Sequence, residues 1–505
     1  MNWFRRVITI LSVITALTGT SLAHAASKAS EAAVFGQSRA EAMQEMVALH
    51  QRLTATARQV ERVTLQLTPD ELDVLARPAK DATNRLRVGV HRNVSIASAQ
   101  RKSDLQIHLN GAPSIRLVLS DVQGSVAVFN ENGQARTYDE DGYTHTFAGD
   151  RVTIRGTADV TGIGAINLAD NLCSFNASCV ENAEFSIIPT AIEAVRNAYA
   201  SLLYSSGRYY YVCTGGLIAD GDTNSQVPYL LTANHCISKG SEAKSMETFF
   251  QFTLSDGSGN ASCGFPASDT VGSSIVATNR TGDYTLLRLS QNPPSDSVYL
   301  GWTTDSVATS AGTSLFRISH PGGAPQAYSE HTVDTQTGTC RTWPRGSWIY
   351  SRDTFGATEG GSSGSPVLNA DGQVVGQLSG ACGFNVSDSC DAVSNATVDG
   401  AFASYFSEVA AFLDNGGSGG NDPEQCDNLI DDDNDGLIDC ADPDCDADAA
   451  CPGTGICTDS DNDGWCVEDG DCNDADPSIN PGVPDRGGRK WSDNIDNNCN
   501  GVIDG

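Results

Sequence analysis

Sixteen cysteines in two sets of eight constrain the folding of this chain more than any other feature. None stands between Ala26 and Asn171, eight lie from Cys173 to Cys390, and eight from Cys426 to Cys499. Even numbers confined to separate segments favour local disulfide frameworks formed in an oxidising compartment. The charge divides at the same place. The formal net charge is −32, but Asn421–Gly505 carries 24 acidic against 3 basic residues, which leaves −11 for everything before it. Such a balance excludes a nucleic-acid partner, because phosphate contacts need clustered Lys and Arg. A length of 505 residues fits about three domains.

The start of the chain reads as a signal peptide. Arg5 and Arg6 precede an apolar run from Val7 to Leu17, and Ala23-His24-Ala25 puts small residues at both cleavage positions. The run falls short of the ~20 residues needed to span a bilayer. Cleavage after Ala25 would leave an exported, soluble protein with no transmembrane segment.

Ser38-Arg39-Ala40-Glu41 is a capping box, followed by Met43, Met46, Val47, His50 and Leu53 at helical spacing. One helix is expected there. The period then changes to two, in Leu86, Val88, Val90, in Leu105, Ile107, Leu109 and in Ile115, Leu117, Leu119, with an Asn132-Gly133 turn. These residues predict a small β-sandwich over about 83–165. Its histidines, His91, His108 and His145, read as packing or surface residues. Lying between a signal peptide and a cysteine-rich region, 26–170 reads as a pro-region. Asn415-Gly416-Gly417-Ser418-Gly419-Gly420 has no side chain to anchor a core and reads as a flexible linker, 415–420, ahead of an Asp-rich module, 421–505.

Three stretches of the central segment, 171–414, carry chemistry. Leu230-Leu231-Thr232-Ala233-Asn234-His235-Cys236 is an apolar strand ending on a histidine. Gly282-Asp283-Tyr284-Thr285-Leu286-Leu287 places an aspartate at the head of another. Gly360-Gly361-Ser362-Ser363-Gly364-Ser365-Pro366 sets a serine in a glycine-rich loop. A serine hydroxyl becomes nucleophilic when an imidazole takes its proton, and the imidazole needs a carboxylate to fix its tautomer. The order His235, Asp283, Ser363 is one of three chain orders in which this constellation occurs. Glycines around Ser363 let the N–H groups of Gly361 and Ser363 converge on a developing oxyanion.

These stretches, with Cys213-Thr214-Gly215-Gly216-Leu217-Ile218, resemble the trypsin-like serine peptidases. Thr358-Glu359-Gly360-Gly361-Ser362-Ser363-Gly364-Ser365-Pro366 and the early pair Cys173 and Cys179 are most similar to the bacterial lysyl-endopeptidase branch. The resemblance covers about 170–414. It implies a mainly β chain whose peptidase domain is a double β-barrel with the site between the barrels, preceded by the helix and sandwich of the pro-region and followed by a loop-rich calcium and disulfide module. It further implies His235 as general base, Asp283 as its partner, Ser363 as nucleophile, and disulfides Cys213–Cys236 and Cys179–Cys263. The pairing of Cys173, Cys340, Cys382 and Cys390 stays open. No cofactor is expected for catalysis.

Two departures from that pattern matter. The residue before the nucleophile is Ser362 where animal trypsins carry an Asp that pairs with a newly cut N-terminus, so activation by that ion pair is excluded. The lysyl branch shares this and is made with a long pro-segment, so cleavage close before Cys173 is expected to release the active enzyme. Six residues before the nucleophile stands Ala357, not an acid. By ungapped matching of Phe402-Ala403-Ser404, the acid position of the lysyl branch falls on Ala396 and not on Asp399, which speaks against strict Lys specificity. His320, His331 and Glu359 read as structural.

In the tail, Asp431-x-Asp433-x-Asp435-Gly436 recurs as Asp459-x-Asp461-x-Asp463-Gly464 and, more weakly, as Asp496-x-Asn498-x-Asn500-Gly501. Side chains at loop positions 1, 3 and 5 converge, and hard oxygen donors select calcium. Asp442 stands at loop position twelve of the first repeat and Gly470 at that of the second, so these are not EF-hands. The tail resembles thrombospondin type 3 repeats and related bacterial modules. The leading expectation is a secreted, monomeric serine endopeptidase acting on peptides or proteins through an acyl-enzyme, with surface attachment through the tail. The alternative is a calcium-dependent adhesion protein with a peptidase-like scaffold.

Overall fold

The structure, a computed structural model, describes residues 26–56, 58–81, 85–97, 103–167, 177–221, 226–254, 268–340 and 342–414, with 473 and 479. Residues 1–415 and 416–505 form two separate units, and the described helices and strands all belong to the first. The tail residues expected to bind calcium, and Cys173 and Cys263, lie outside the described residues.

Helix α1 (Arg39–Ala55) starts at the expected capping box, with Ser38 accepting from the Glu41 N–H and Glu41 returning to Ser38. Of its periodic apolar residues only Leu53 is buried, while Met43 and Val47 are exposed. A second helix, α2 (Pro69–Ala76), has an equally good signal, a Thr68/Glu71 capping box with Pro69 in the first turn.

The five longest strands of the N-terminal sheet are β1 (Val60–Gln66), β2 (Leu86–Ile96), β3 (Asp104–Asn110), β4 (Ser114–Phe129) and β5 (Arg151–Ile166), to which Ala79–Lys80, Ala135–Tyr138, Gly142–Tyr143 and Phe147–Ala148 add short pairings. β4 and β5 are 16 residues each. β5 pairs with β3 at one end, with β2 at the other, and with β4 throughout. Register shifts near Arg155 and Val160 bend the pair, as bulges do. The sheet therefore folds over a core containing Ile107, Leu117, Val128, Val152 and Val160. The expected sandwich is thus one bent sheet, and it is not free-standing.

The first barrel comprises β6 (Tyr199–Ser206), β7 (Tyr209–Leu217), β8 (Tyr229–Thr232), β9 (Glu247–Phe250), β10 (Thr270–Val271), β11 (Ser273–Asn279) and β12 (Tyr284–Leu289). Antiparallel pairing runs β9, β6, β7, β8, β12, β11, and β10, one residue ahead of β11, pairs back to β9 and closes the ring. The second comprises β13 (Ser314–Ser319), β14 (Ala327–Val333), β15 (Trp348–Phe355), β16 (Pro366–Leu368), β17 (Val374–Gly383) and β18 (Asn395–Ala401). It closes in the order β13, β14, β15, β18, β17, β16. Tyr199, Leu231 and Leu286 of the first barrel share one buried cluster with Ile318, Tyr328 and Leu368 of the second. Area burial of this kind is the main favourable term in folding.

The N-terminal sheet joins the first barrel edge to edge. Tyr209–Val212 of β7 pairs with Leu86–Val90 of β2, and Leu86, Val88 and Ile166 pack with Leu203, Tyr210, Val212 and Phe249. Arg116 and Glu247, both wholly buried, face each other across this junction at 3.5 Å. Glu247 also accepts from the Thr146 N–H and hydroxyl, at 2.8 and 2.6 Å. The first residues after Ala25 act as a strap on the segment between the barrels, with Ser27–Lys28 paired to Trp302–Thr303 and Glu31–Ala32 to Val298–Tyr299.

Removing one partner of a buried ion pair leaves an uncompensated charge and costs about 3–5 kcal/mol. Glu247→Ala in the full chain is therefore expected to lower the unfolding free energy by about that amount, read from urea denaturation. A loss of less than about 1 kcal/mol would mean that the Thr144 carbonyl and the faces of Tyr143 and Tyr210 suffice to stabilise Arg116.

Candidate functional site

β8 is an all-buried strand, and its end delivers Ala233, Asn234 and His235 into a turn. Cys213 and Cys236 form the expected disulfide, tying that turn to β7. Asp283 sits at the head of β12 with φ 50°, a left-handed conformation that aspartate adopts more readily than most residues. The turn aims both carboxylate oxygens at one residue. Oδ1 accepts from the His235 backbone N–H at 2.8 Å, and Oδ2 lies 2.8 Å from His235 Nδ1. One carboxylate thus fixes both the backbone and the ring of His235. The Asp283 carbonyl in turn accepts from the Asn234 N–H at 3.1 Å and from Gln377 Nε2 at 3.0 Å.

Ser363 stands in the loop between β15 and β16. The Cys236 sulfur lies 3.9 Å from His235 Nε2 and 3.7 Å from the Ser363 carbonyl oxygen, so ring and loop flank one disulfide. Gly361 (φ 103°) and Gly364 (φ 82°) need the left-handed region. A Cβ on Gly361 would stand 2.7 Å from the His320 carbonyl, and one on Gly364 would meet Thr214 O at 2.6 Å. Among the described residues, the N–H groups of Gly361 and Ser363 donate to no backbone carbonyl, which leaves both for a ligand.

Ser362 is fully buried, and its hydroxyl oxygen accepts from Ser319 Oγ at 3.0 Å and from the Glu359 N–H at 3.3 Å. Internal bonds thus hold the residue that in animal trypsins waits for a new N-terminus. Two further residues that motif reading passed over hold the loop. The Thr214 N–H donates to Ser363 O at 2.8 Å and its hydroxyl to Gly361 O at 2.8 Å. Arg317 donates to Ser365 O at 3.0 Å and pairs with Asp399 at 2.7 Å, both side chains fully buried. Thr214 lies inside the Cys213-Thr214-Gly215 motif, which was the available signal. Arg317 carried none.

Beside Ser363 opens a cavity of about 340 Å³ with walls from 358–360, 380–381 and 395–397. Ala396 lines it, whereas Asp399 is turned into the ion pair with Arg317. Ala357 is buried against Val180 and Ala327. The acids of the wall are Asp353, Glu359, Asp388 and Asp391. Asp353 Oδ1 lies 2.8 Å from His331 Nδ1 and 2.7 Å from Thr397 Oγ1. Burial alone would raise its pKa, but His331 and these bonds hold the carboxyl below its ordinary value. His331, between Asp353 and Ser329, is a buried positioning group. Glu359, expected to be structural, lies on this wall.

The expected Cys179–Cys263 bridge is corrected: Cys179 pairs with Cys390, and Cys340 with Cys382. The reason is topological. Glu181–Asn182, just after Cys179, pairs with Tyr328 and Ala327 of the second barrel, and the loop carrying Cys390 belongs to that barrel and lines the cavity through Asp388 and Asp391.

His320 is buried and stacked on Phe252, with Nδ1 2.9 Å from the Ala324 carbonyl. Burial pushes its pKa down to about 4, the bond to Ala324 offsetting only part of this. A folded-state pKa below the unfolded ~6.5 stabilises the protein at neutral pH, and that stability is lost as pH falls. Unfolding free energy is therefore expected to drop by up to about 3 kcal/mol between pH 6.5 and 4. His320→Asn, which keeps a donor for Ala324, should give a shallower slope in the same titration, and an unchanged slope would assign the acid lability elsewhere.

Residues 169–394 match the family model described as "Lysyl endopeptidase, C-terminal domain", and 471–505 one described as "Putative metal-binding motif". A lysyl endopeptidase of Pseudomonas aeruginosa is 27% identical over 263 residues, 48% of this chain and 52% of the relative, so the match spans about half of that protein's length. Among solved structures, the HtrA-type protease AlgW with a tripeptide is 17% identical over 44% of this chain and 62% of that one, with a TM-score of 0.30. The Rv3671c protease from M. tuberculosis in its active form is 14% identical over 47% and 89%, with a TM-score of 0.32. No helix among the described residues is long and apolar enough to cross a membrane. Residues 169–394, which contain His235, Asp283 and Ser363, are therefore similar to the C-terminal domain of the lysyl endopeptidases.

Proposed function

We propose that this protein is a secreted serine endopeptidase in which Ser363 attacks the peptide carbonyl, His235 takes and returns the proton, and Asp283 holds His235. The observation that carries the reading is the double hold of Asp283 on His235, next to a serine loop with two undonated N–H groups. Proton transfer to His235 Nε2 lets Ser363 Oγ add to the carbonyl. The oxyanion would lie at the Gly361 and Ser363 N–H groups, where losing one donor costs about 10²–10³ in rate. Collapse gives an acyl-enzyme, with His235 returning the proton to the leaving amine, and water completes the cycle.

A fluorophosphonate should label the mature wild type at Ser363, and Ser363→Ala should take up none. His235→Ala is expected to lower the turnover of peptides about 10⁴-fold or more. A wild type that takes no label after processing would remove the enzyme reading.

On this reading residues 1–25 direct export and 26–170 are a pro-region whose covalent link to the peptidase domain is cut close before Cys173, which N-terminal sequencing of the secreted form would locate. With Ala396 at the wall position where the lysyl branch is expected to carry its acid, a strict Lys requirement is not proposed. A peptide panel differing only at the residue before the cut tests this.

For the tail the proposal is calcium. Asp431, Asp433, Asp435 and Asp442, then Asp459, Asp461 and Asp463, offer hard oxygen donors, and Asp496, Asn498 and Asn500 fall inside the segment matched to the metal-binding motif. The tail has few large apolar residues, so bound metal and disulfides would stand in for a core. Limited proteolysis should cut 421–505 readily in chelator and slowly in millimolar calcium. Identical cleavage patterns would overturn the proposal.

A further inference from the structure

We propose that Lys80 of the N-terminal region is an internal plug, lying across the mouth of the acidic cavity beside Ser363 and keeping substrate side chains out. The inference rests on the reading of Ser363 as nucleophile and adds the regulation of that site.

Lys80 lines the same cavity as Ser363, and its Cε lies 2.7 Å from where a Cβ on Gly360 would stand. Gly360 is three residues before Ser363, so the lysine stem covers the glycine wall that a substrate side chain must pass. The residue keeps more than a third of its surface in solvent, which places it over the entrance and not at the bottom.

The hairpin that carries it is anchored at its base. Ala79–Lys80 pairs with Leu86–Arg87 at the start of β2, and β2 pairs with β7 of the first barrel. Arg85 lies 2.9 Å from Asp81 and 3.3 Å from Glu242 and Ser206, and its guanidinium sits 4.3 Å from the Tyr211 ring centroid. Strand pairing, two ion pairs and a cation–π contact thus fix the position of Lys80 relative to the barrel.

Charge supplies the attraction. Four acids line the cavity, and Lys80 is the one base among its described lining residues. Burial lowers the pKa of the Lys80 ammonium, and the Glu359 carboxylate pulls it partly back up. Opposite charge at the rim of a low-dielectric cleft is worth more than the same pair in open water. A tethered ammonium also meets its site at high effective concentration, so a modest contact suffices to keep the mouth occupied.

The test reads the rate of Ser363 labelling by a fluorophosphonate on the full-length band only, resolved by size from processed chains. Lys80→Ala is expected to label about tenfold faster than the full-length wild type, since reactivity scales with the open fraction. Lys80→Met, which keeps the stem without the charge, should fall between them. Unfolding midpoints of all three are expected to coincide, because Lys80 keeps more than a third of its surface in solvent and lies at the cavity mouth, not in the core. Equal full-length rates for wild type and Lys80→Ala would overturn the plug. So would failure of both to label while the processed wild type labels, because something else would then close the site. Absence of label on every form, processed included, would instead remove the reading of Ser363 as nucleophile and the plug with it.

Discussion

The loop 358–366 is held from both barrels at once, and the geometry of the whole site depends on that clamp. From the first barrel, Thr214 fixes the carbonyls of Gly361 and Ser363. From the second, Arg317 fixes the carbonyl of Ser365 and is itself held by Asp399. With its carbonyls bound on the inside, the loop turns N–H groups outward, which is what stabilising a developing negative charge requires. The two left-handed glycines make this possible, because a Cβ would collide with the backbone of the His320–Gly323 turn at Gly361 and with that of Thr214 and Ala233 at Gly364. Asp283 belongs to the same arrangement, since Gln377, which holds its carbonyl, comes from the second barrel while His235 and Asp283 come from the first. A small shift between barrels would therefore disturb base and oxyanion donors together.

Features whose physics is local were legible in the sequence. The Ser38/Glu41 capping box, the apolar strands ending on His235 and beginning on Asp283 and the glycine-rich loop all depend on residues close in sequence or on motifs of fixed spacing, while the Cys213–Cys236 bridge came only from the family resemblance. The Thr68/Glu71 box was equally legible and points to α2. What stayed hidden depends on distant pairing. Nothing near Cys179 shows that the next residues add to the second barrel, so its partner Cys390, 211 residues away, could not be read. The periods of β2, β3 and β4 announced strands, but not that β2 would continue the barrel's sheet. Ala396 and Asp399 illustrate the scale of the difficulty. Three residues apart on one strand, one lines the cavity and the other is buried behind the loop, and which is which depends on side-chain direction.

That continuation bears on what a cut before Cys173 can achieve. β8 pairs only with Gly216 and Leu217 at the end of β7, leaving Tyr209–Val212 as an open edge that β2 fills. Separating the two would expose that edge, together with Leu203, Val212 and Phe249, and would leave Glu247 without Arg116. Unpaired edges and unpartnered buried charge are both costly. On the proposed reading, hydrolysis of the chain removes the covalent tether but none of these contacts, so a nicked protein keeps the N-terminal region in place at equilibrium. Opening the site then requires either destruction of the N-terminal region or local departure of the Ala79–Lys80 hairpin alone. The second route is the smaller step, because Ala79–Lys80 pairs over two residues only, and Lys80 itself lines the cavity. Activation and release are thus separable events in this fold, and their order is set by how much weaker the hairpin's contacts are than the shared sheet.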